Sequence, residues 1–257
     1  MAYTRLDGDN IRSAVDASLR RLGVERIDLL SLHWPDRYVP MFGDVAFDPG
    51  ADYGDSEPVE RQLAAVGALV AAGKVRAFGL SNETPWGFMR FAAAAAAGAG
   101  PRPVALQNAY SLTSRGFEAG LAECCHRERV SLVAYSPLAM GLLTGKYGAP
   151  GGAGPRARLN LYAGRYAEAE GRYSLRRPNV AAAVQAYVAL AETHGIPPAA
   201  MALRFAAWAP TAACALSGAT EPQQLRALLD AAHAGPLPQE LLEALDELHA
   251  RYPSPTP

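Results

Sequence analysis

Alternation constrains this chain more than any other feature. Short aliphatic runs at 27–32, 75–80, 103–106, 131–134 and 213–217 are separated by longer segments of helical periodicity. Runs of four to six apolar residues bounded by Pro, Gly or polar clusters predict buried strands, being too short for helices. The intervening segments 59–72, 84–97, 117–127, 179–194 and 198–208 predict helices, and 222–232 and 239–249 predict two more after the last strand. A helix also precedes the first strand. There Ile11, Val15, Leu19 and Leu22 share one face, Asp9 is placed to cap the start and Gly23 to end it. Strands alternating with helices of this length imply βαβ units and a parallel sheet with right-handed crossovers, so every strand ends on the same edge.

Five strands fall short of a closed barrel. Each unit takes about 40 residues, so eight would need well over 300 where the chain has 257. Two architectures stay open on these grounds, an open five-stranded sheet or a barrel lacking its first three strands. Either way, 1–257 reads as a single domain.

Composition removes several classes. The chain is 50% hydrophobic and 19% charged with a formal net charge of −1, so it is not a disordered chain and carries no global basic excess for nucleic acid. No apolar stretch approaches the roughly 18 residues of a membrane span. Cys124 and Cys125 are adjacent and Cys214 is distant, which makes neither a disulfide framework nor a metal clamp. A reducing, cytoplasmic setting and no bound metal are therefore expected. The opening MAYTRLDGDN is polar and unlike a secretory signal.

In parallel α/β proteins the chemistry sits where strands meet their following loops. Here those positions hold His33-Trp34, Ser81-Asn82, Gln107-Asn108, Tyr135-Ser136 and Gly218-Ala219-Thr220. Each has an ordinary structural reading, such as helix capping by Ser-Asn or core packing by Tyr135. Five together are better explained by one ligand. Ser81, Asn82 and Gln107 can donate to and accept from a carboxamide, and Tyr135 can lie under a flat heterocycle. The last strand leads through Gly218 and Thr220 into a helix start with capping-box spacing from Thr220 to Gln223, a place suited to an anion. The loop 140–177 is rich in Gly, and from Lys146 to Arg177 it carries seven basic residues against Glu168 and Glu170. It reads either as a solvated basic loop or as half of a phosphate clamp. No Gly-x-Gly-x-x-Gly follows an early strand, so a Rossmann site is not indicated. The insert 35–58 carries Asp44, Asp48, Asp52, Asp55 and Glu57 along with Tyr38, Phe42 and Phe47, and reads as a solvated acidic loop near the strand-end rim.

As a set, SLRRLG (18–23), IDL (27–29), HWPDR (33–37), GKVR (73–76), GLSNET (79–84), LQN (106–108), LVAYSPL (132–138), GLLTGKY (141–147) and SGAT (217–220) resemble the aldo-keto reductases, and their bacterial Tas-type branch in particular. The resemblance covers nearly the whole chain in order. It implies a (β/α)8 TIM-barrel fold that binds NADP(H) and reduces aldehyde or ketone carbonyls to alcohols by hydride transfer. His33 is then similar to the catalytic histidine that hydrogen-bonds the substrate carbonyl. Ser81, Asn82 and Gln107 are similar to the carboxamide readers, and Tyr135 to the ring beneath the nicotinamide. Ser136, Pro137, Leu138, Ala139 and Lys146 resemble the pyrophosphate segment. Arg158, Gly218, Thr220 and Gln224 resemble the adenosine and 2′-phosphate end.

Two departures from the family pattern stand out. Ala227 and Leu228 occupy positions where the family has a Glu-Asn pair for adenine. The family's proton-donating tyrosine, with its lysine and aspartate, lies upstream of the histidine. Only 32 residues precede His33, and the one tyrosine among them, Tyr3, has no such context. The expectation is an N-terminally truncated barrel of about five of eight strands, with doubtful activity of its own. Its outer strands would offer unpaired edges for self-association. Any organellar targeting segment would fall in the missing part. A non-catalytic NADP(H)-binding module or subunit of the same fold is the alternative.

Overall fold

The computed structural model describes residues 5–41 and 43–257; Tyr3 and Phe42 lie outside the described residues. Five strands follow one another in the sheet as they do in the chain: β1 (Ile27–Leu32), β2 (Val75–Ser81), β3 (Ala105–Ala109), β4 (Ser131–Tyr135) and β5 (Ala212–Leu216). β1 pairs with β2 and β2 with β3, both in parallel. The chain divides into two compact units. One comprises residues up to 39 with 47–108 and 120–132, the other 40–46, 109–119 and 133–257.

The first unit holds β1 to β3 and the helices α1 (Gly8–Leu22), α2 (Val59–Ala71), α3 (Pro85–Ala96) and α4 (Leu121–Glu128). Helix α1 packs on α2, α2 on β2 and α3, and α3 on α4. Leu63, Val66, Phe78, Phe88, Leu106, Cys125 and Leu132 are fully buried between these layers. The cap of α1 is Asp7 rather than the expected Asp9. The Asp7 carboxylate accepts from Asn10 N at 2.8 Å, while Asp9 sits inside the first turn and pairs with Arg12. Gly23, at φ 67°, closes the helix as its sequence position implies.

Two elements differ from the sequence reading, each for a local reason. β3 starts and ends later than expected. Pro103 has no N–H to donate, the first bond to β2 comes from Val104 N to Phe78 O, and pairing runs on to Ser81 opposite Gln107. Gln107 and Asn108 thus belong to the strand, not to the loop after it. The helix expected over 117–127 is divided. A 3-10 turn at Gly116–Ala119 precedes α4, with Gly120 at the break.

The second unit contains the end of β4, β5 and the helices α5 (Arg158–Leu161), α6 (Ala167–Gly171), α7 (Pro178–Thr193), α8 (Pro198–Ala207), α9 (Pro222–His233) and α10 (Gln239–Arg251). The loop after β4 is more structured than its glycines suggest. It folds into a 3-10 segment at Ala139–Thr144 and the two short helices α5 and α6. Leu203, Leu228 and Ala231 form a small core joining α8 to α9, flanked by Leu138, Ala200 and Ala215. A charged cluster also lies in this unit. Glu118 accepts from the Tyr110 hydroxyl at 2.6 Å and from both arms of Arg115, which also reaches Asp246 at 2.7 Å. Burial, and then the Glu118 carboxylate, push the Tyr110 phenol well above its ordinary value.

Candidate active site

In the first unit the ends of β1, β2 and β3 gather four of the expected residues. Register places Ser81 directly opposite Gln107, and Asn82 N donates to Gln107 O at 3.0 Å. The Asn82 side chain donates to His33 O at 2.9 Å and to Ser81 Oγ at 3.2 Å, tying the end of β2 to the loop after β1. Asn82 holds this position with φ 56°, a left-handed conformation that few non-glycine residues adopt and that clusters at functional sites. Ser81 is buried, Asn82 and Gln107 half-buried, and His33 exposed. Among the described residues the Gln107 side-chain amide makes no hydrogen bond, so its donor and acceptor are available to a ligand. Next to it Asn108 donates to Glu83 O at 3.0 Å, and its buried Oδ1 has no partner.

A buried ion pair supports this cluster, and no sequence signal had linked its partners. Arg37, from HWPDR, grips Glu83, from GLSNET, with two bonds of 3.0 and 2.7 Å. Arg37 also donates to Thr84 Oγ1 at 3.0 Å and lies over the Trp86 ring. Thr84 caps α3, and a Cβ at Gly87 would collide with both the carboxylate and the guanidinium. The glycine is there because the ion pair fills the space at the helix start. On the other side Asp36 accepts from Arg5 and from Leu6 N, which fixes the same loop.

In the second unit the residues after β4 adopt an unusual backbone. Ser136, Ala139, Met140, Gly141 and Gly145 all have positive φ. These residues form a series of tight turns closed by the loop's own bonds, from Ala139 N to Ser136 O at 2.9 Å, Gly141 N to Leu138 O at 2.8 Å and Gly145 N to Leu142 O at 3.0 Å. Pro137 and Ala139 are buried, Ser136 and Leu138 half-buried. Lys146 is exposed, its ammonium over the Tyr147 ring. Arg158 is exposed at the start of α5. Gly218 faces open space. Thr220 donates from its backbone to Gln224 Oε1 at 3.1 Å; the expected cap to Gln223 is replaced by this bond, and α9 starts at Pro222 with Glu221 at its N-cap and no side-chain cap bond. Leu228, one of the two departures at the adenine positions, is a core residue here, whereas Ala227 is exposed.

Arg172 is the main correction to the basic-loop reading. It is 7% exposed, not solvated. Its guanidinium donates to Ser114 Oγ at 3.1 Å, to Thr256 O at 3.3 Å and to Tyr135 Oη at 3.5 Å. Arg156 pairs with Glu221 and Arg177 donates to Gly171 O, so the seven cations do not act as one clamp.

Taken unit by unit, the side chains present have the chemistry a nicotinamide dinucleotide requires. In the first unit a half-buried primary amide beside a serine and an asparagine suits a carboxamide; in the second Tyr135 offers a half-buried ring, and Lys146 and Arg158 are exposed cations of the kind that suits phosphate.

Residues 3–250 match the profile described as "Aldo/keto reductase family". "Protein tas" of Escherichia coli K12 is 40% identical over 255 residues, covering 98% of this chain and 70% of that protein. An "Aldo-keto reductase" of Babesia bovis is 38% identical over 265 residues, covering 98% of this chain and 90% of the relative. Among solved structures, a glycerol dehydrogenase of Gluconobacter oxydans superposes with a TM-score of 0.72 at 26% identity over 98% of this chain and 67% of that one. This supports the (β/α)8 barrel as the parent fold. The family match beginning at residue 3 gives no support to the expected N-terminal truncation. On residues 3–250, and on relatives matched along most of their own length, this chain belongs to the aldo/keto reductase family.

Proposed function

We propose that the protein binds NADP(H) and reduces aldehyde or ketone carbonyls. The observation that carries the reading is the Ser81–Asn82–Gln107 cluster, with its half-buried Gln107 amide and its tether to the backbone of His33. Ser81, Asn82 and Gln107 orient the carboxamide. Tyr135 supplies the ring platform, and the residues from Ser136 to Ala139 with Lys146 take the pyrophosphate. Arg158 with the Gly218–Thr220–Gln224 segment takes the 2′-phosphate end, which favours NADP(H) over NAD(H). The exposed His33 imidazole hydrogen-bonds the substrate carbonyl. When bound, the cofactor supplies the reducing equivalents.

Proton delivery is the weak link. A tyrosine acid in this family needs a neighbouring lysine to lower its pKa, and the chain has only Lys74 and Lys146. Lys74 is bound to Asp16 just ahead of β2. Tyr147, the ring beneath Lys146, is pushed upward by burial rather than lowered. This favours a second reading, a chain that holds the cofactor but turns over slowly, because general acid catalysis contributes about 10²–10⁴-fold. NADPH oxidation in the presence of aldehyde and ketone panels tests both. Carbonyl-dependent oxidation at ordinary enzymatic rates supports the reductase; saturable NADPH binding without it supports the binding module. Absence of both contradicts the proposal.

A further inference from the structure

The last residues of the chain are fastened to the platform tyrosine through a buried network within the second unit. Thr256 is fully buried. Its N–H donates to Thr113 O at 2.9 Å, and its hydroxyl donates to Thr113 O at 3.0 Å and meets Thr113 Oγ1 at 2.8 Å. Two residues earlier Ser254, at φ 39°, accepts from Arg115 N at 3.1 Å. The segment receiving the tail, Ser111 to Ser114, is itself buried, and Thr113 N donates to Ser111 Oγ. Arg172 then joins three pieces of chain. One arm is on Ser114 in the receiving segment, one on the Thr256 carbonyl in the tail and one on the Tyr135 hydroxyl at the end of β4.

Thr256 in this proline-rich segment is fully buried, and a guanidinium that is 7% exposed links its carbonyl to the half-buried Tyr135 phenol. Burying a charge carries a desolvation cost that its partners must offset, and one of those partners is the Tyr135 hydroxyl. We infer that Arg172 and Thr256 are positioning residues for Tyr135: they hold its ring in the plane on which the nicotinamide lies, so that this network sets cofactor affinity. Neither residue touches the cofactor. This rests on the reading of Tyr135 as the ring platform.

The test measures NADPH affinity by fluorescence quenching in the wild-type chain and in Tyr135→Phe, Arg172→Met, Thr256→Val and Tyr135→Phe/Arg172→Met. Thermal melts and circular dichroism check that each variant is folded. Each single variant should weaken NADPH by about five- to tenfold, the share of one hydrogen bond. The double variant should be no weaker than Arg172→Met alone, because both substitutions break the same link. A generally loosened fold would instead give additive losses. Thr256→Val is the milder probe should Arg172→Met fail to fold. Hydrogen exchange at the Ser254 and Thr256 amides should also rise in Arg172→Met without cofactor present. If wild-type protein does not bind NADPH, the cofactor reading itself is wrong. If the wild type binds while folded Thr256→Val and Arg172→Met stay within twofold of it, or if the losses add, the positioning role is overturned and the cofactor reading stands.

Discussion

Each of the two compact units places a buried arginine behind its strand-end residues, and the two are wired differently. In the first, Arg37 holds one carboxylate, Glu83, in a two-armed ion pair whose side chains are 17% and 2% exposed. In the second, Arg172 spreads its arms over a serine hydroxyl, a phenol and a backbone carbonyl drawn from three separate stretches of chain. An ion pair fails all at once when a partner is lost, since the remaining charge stays buried. A network with several oxygens loosens bond by bond. Loss of the Arg37–Glu83 pair should therefore be felt sharply, and loss of any one of these Arg172 contacts by degrees.

The sharpest way to break the contrast is Arg37→Met, which strands the Glu83 carboxylate. We expect a loss of about 3–5 kcal/mol in urea unfolding, with most of it recovered in Arg37→Met/Glu83→Gln. A loss below about 1 kcal/mol would show that the pair does not hold the first unit together. In the second unit Thr256→Val removes the hydroxyl that meets Thr113 and should destabilise by about 1–2 kcal/mol in the same experiment. An effect as large as that of Arg37→Met would erase the distinction.

The smallest expected effect is a pH dependence in the second unit. Burial, and then the nearby Arg115 guanidinium, hold the His249 imidazole below its ordinary pKa, against the opposing Glu118 and Asp246 carboxylates, and its Nδ1 is buried without a partner. The folded state thus prefers neutral His249. Below the ordinary histidine value of about 6.5 the unfolded chain takes up a proton that the folded chain refuses, so stability falls as pH drops from there to the lowered folded value. The melting temperature of wild type minus that of His249→Gln should decline over this window and be flat above it. A difference that is level with pH would remove His249 from the account.

What could be read from the sequence follows the range over which each feature is determined. β1 is an aliphatic run closed by His33-Trp34-Pro35, and its bounds are those the pattern implies. The end of β3 was harder, because Gln107 and Asn108 look like loop residues although strand pairing carries through them. His33, Ser81, Asn82 and Gln107 were identifiable individually, and the structure brings them together through register. The Arg37–Glu83 pair joins two visible motifs, but nothing in either names the other as its partner. Arg172 was least legible. In the sequence it is one of seven cations in a glycine-rich loop, and only contacts spanning 37, 58 and 84 residues reveal it as a buried tie.

The account depends most on the strand-end amides of the first unit holding a pyridine nucleotide. Fluorescence titration of NADPH into wild-type protein and into Gln107→Leu, a substitution that keeps bulk and removes the amide, tests this directly. We expect saturable quenching in the wild type, tighter than with NADH, and at least about tenfold weaker binding in a normally folded Gln107→Leu. An unchanged signal at saturating NADPH, or equal affinity in the two proteins, would contradict it.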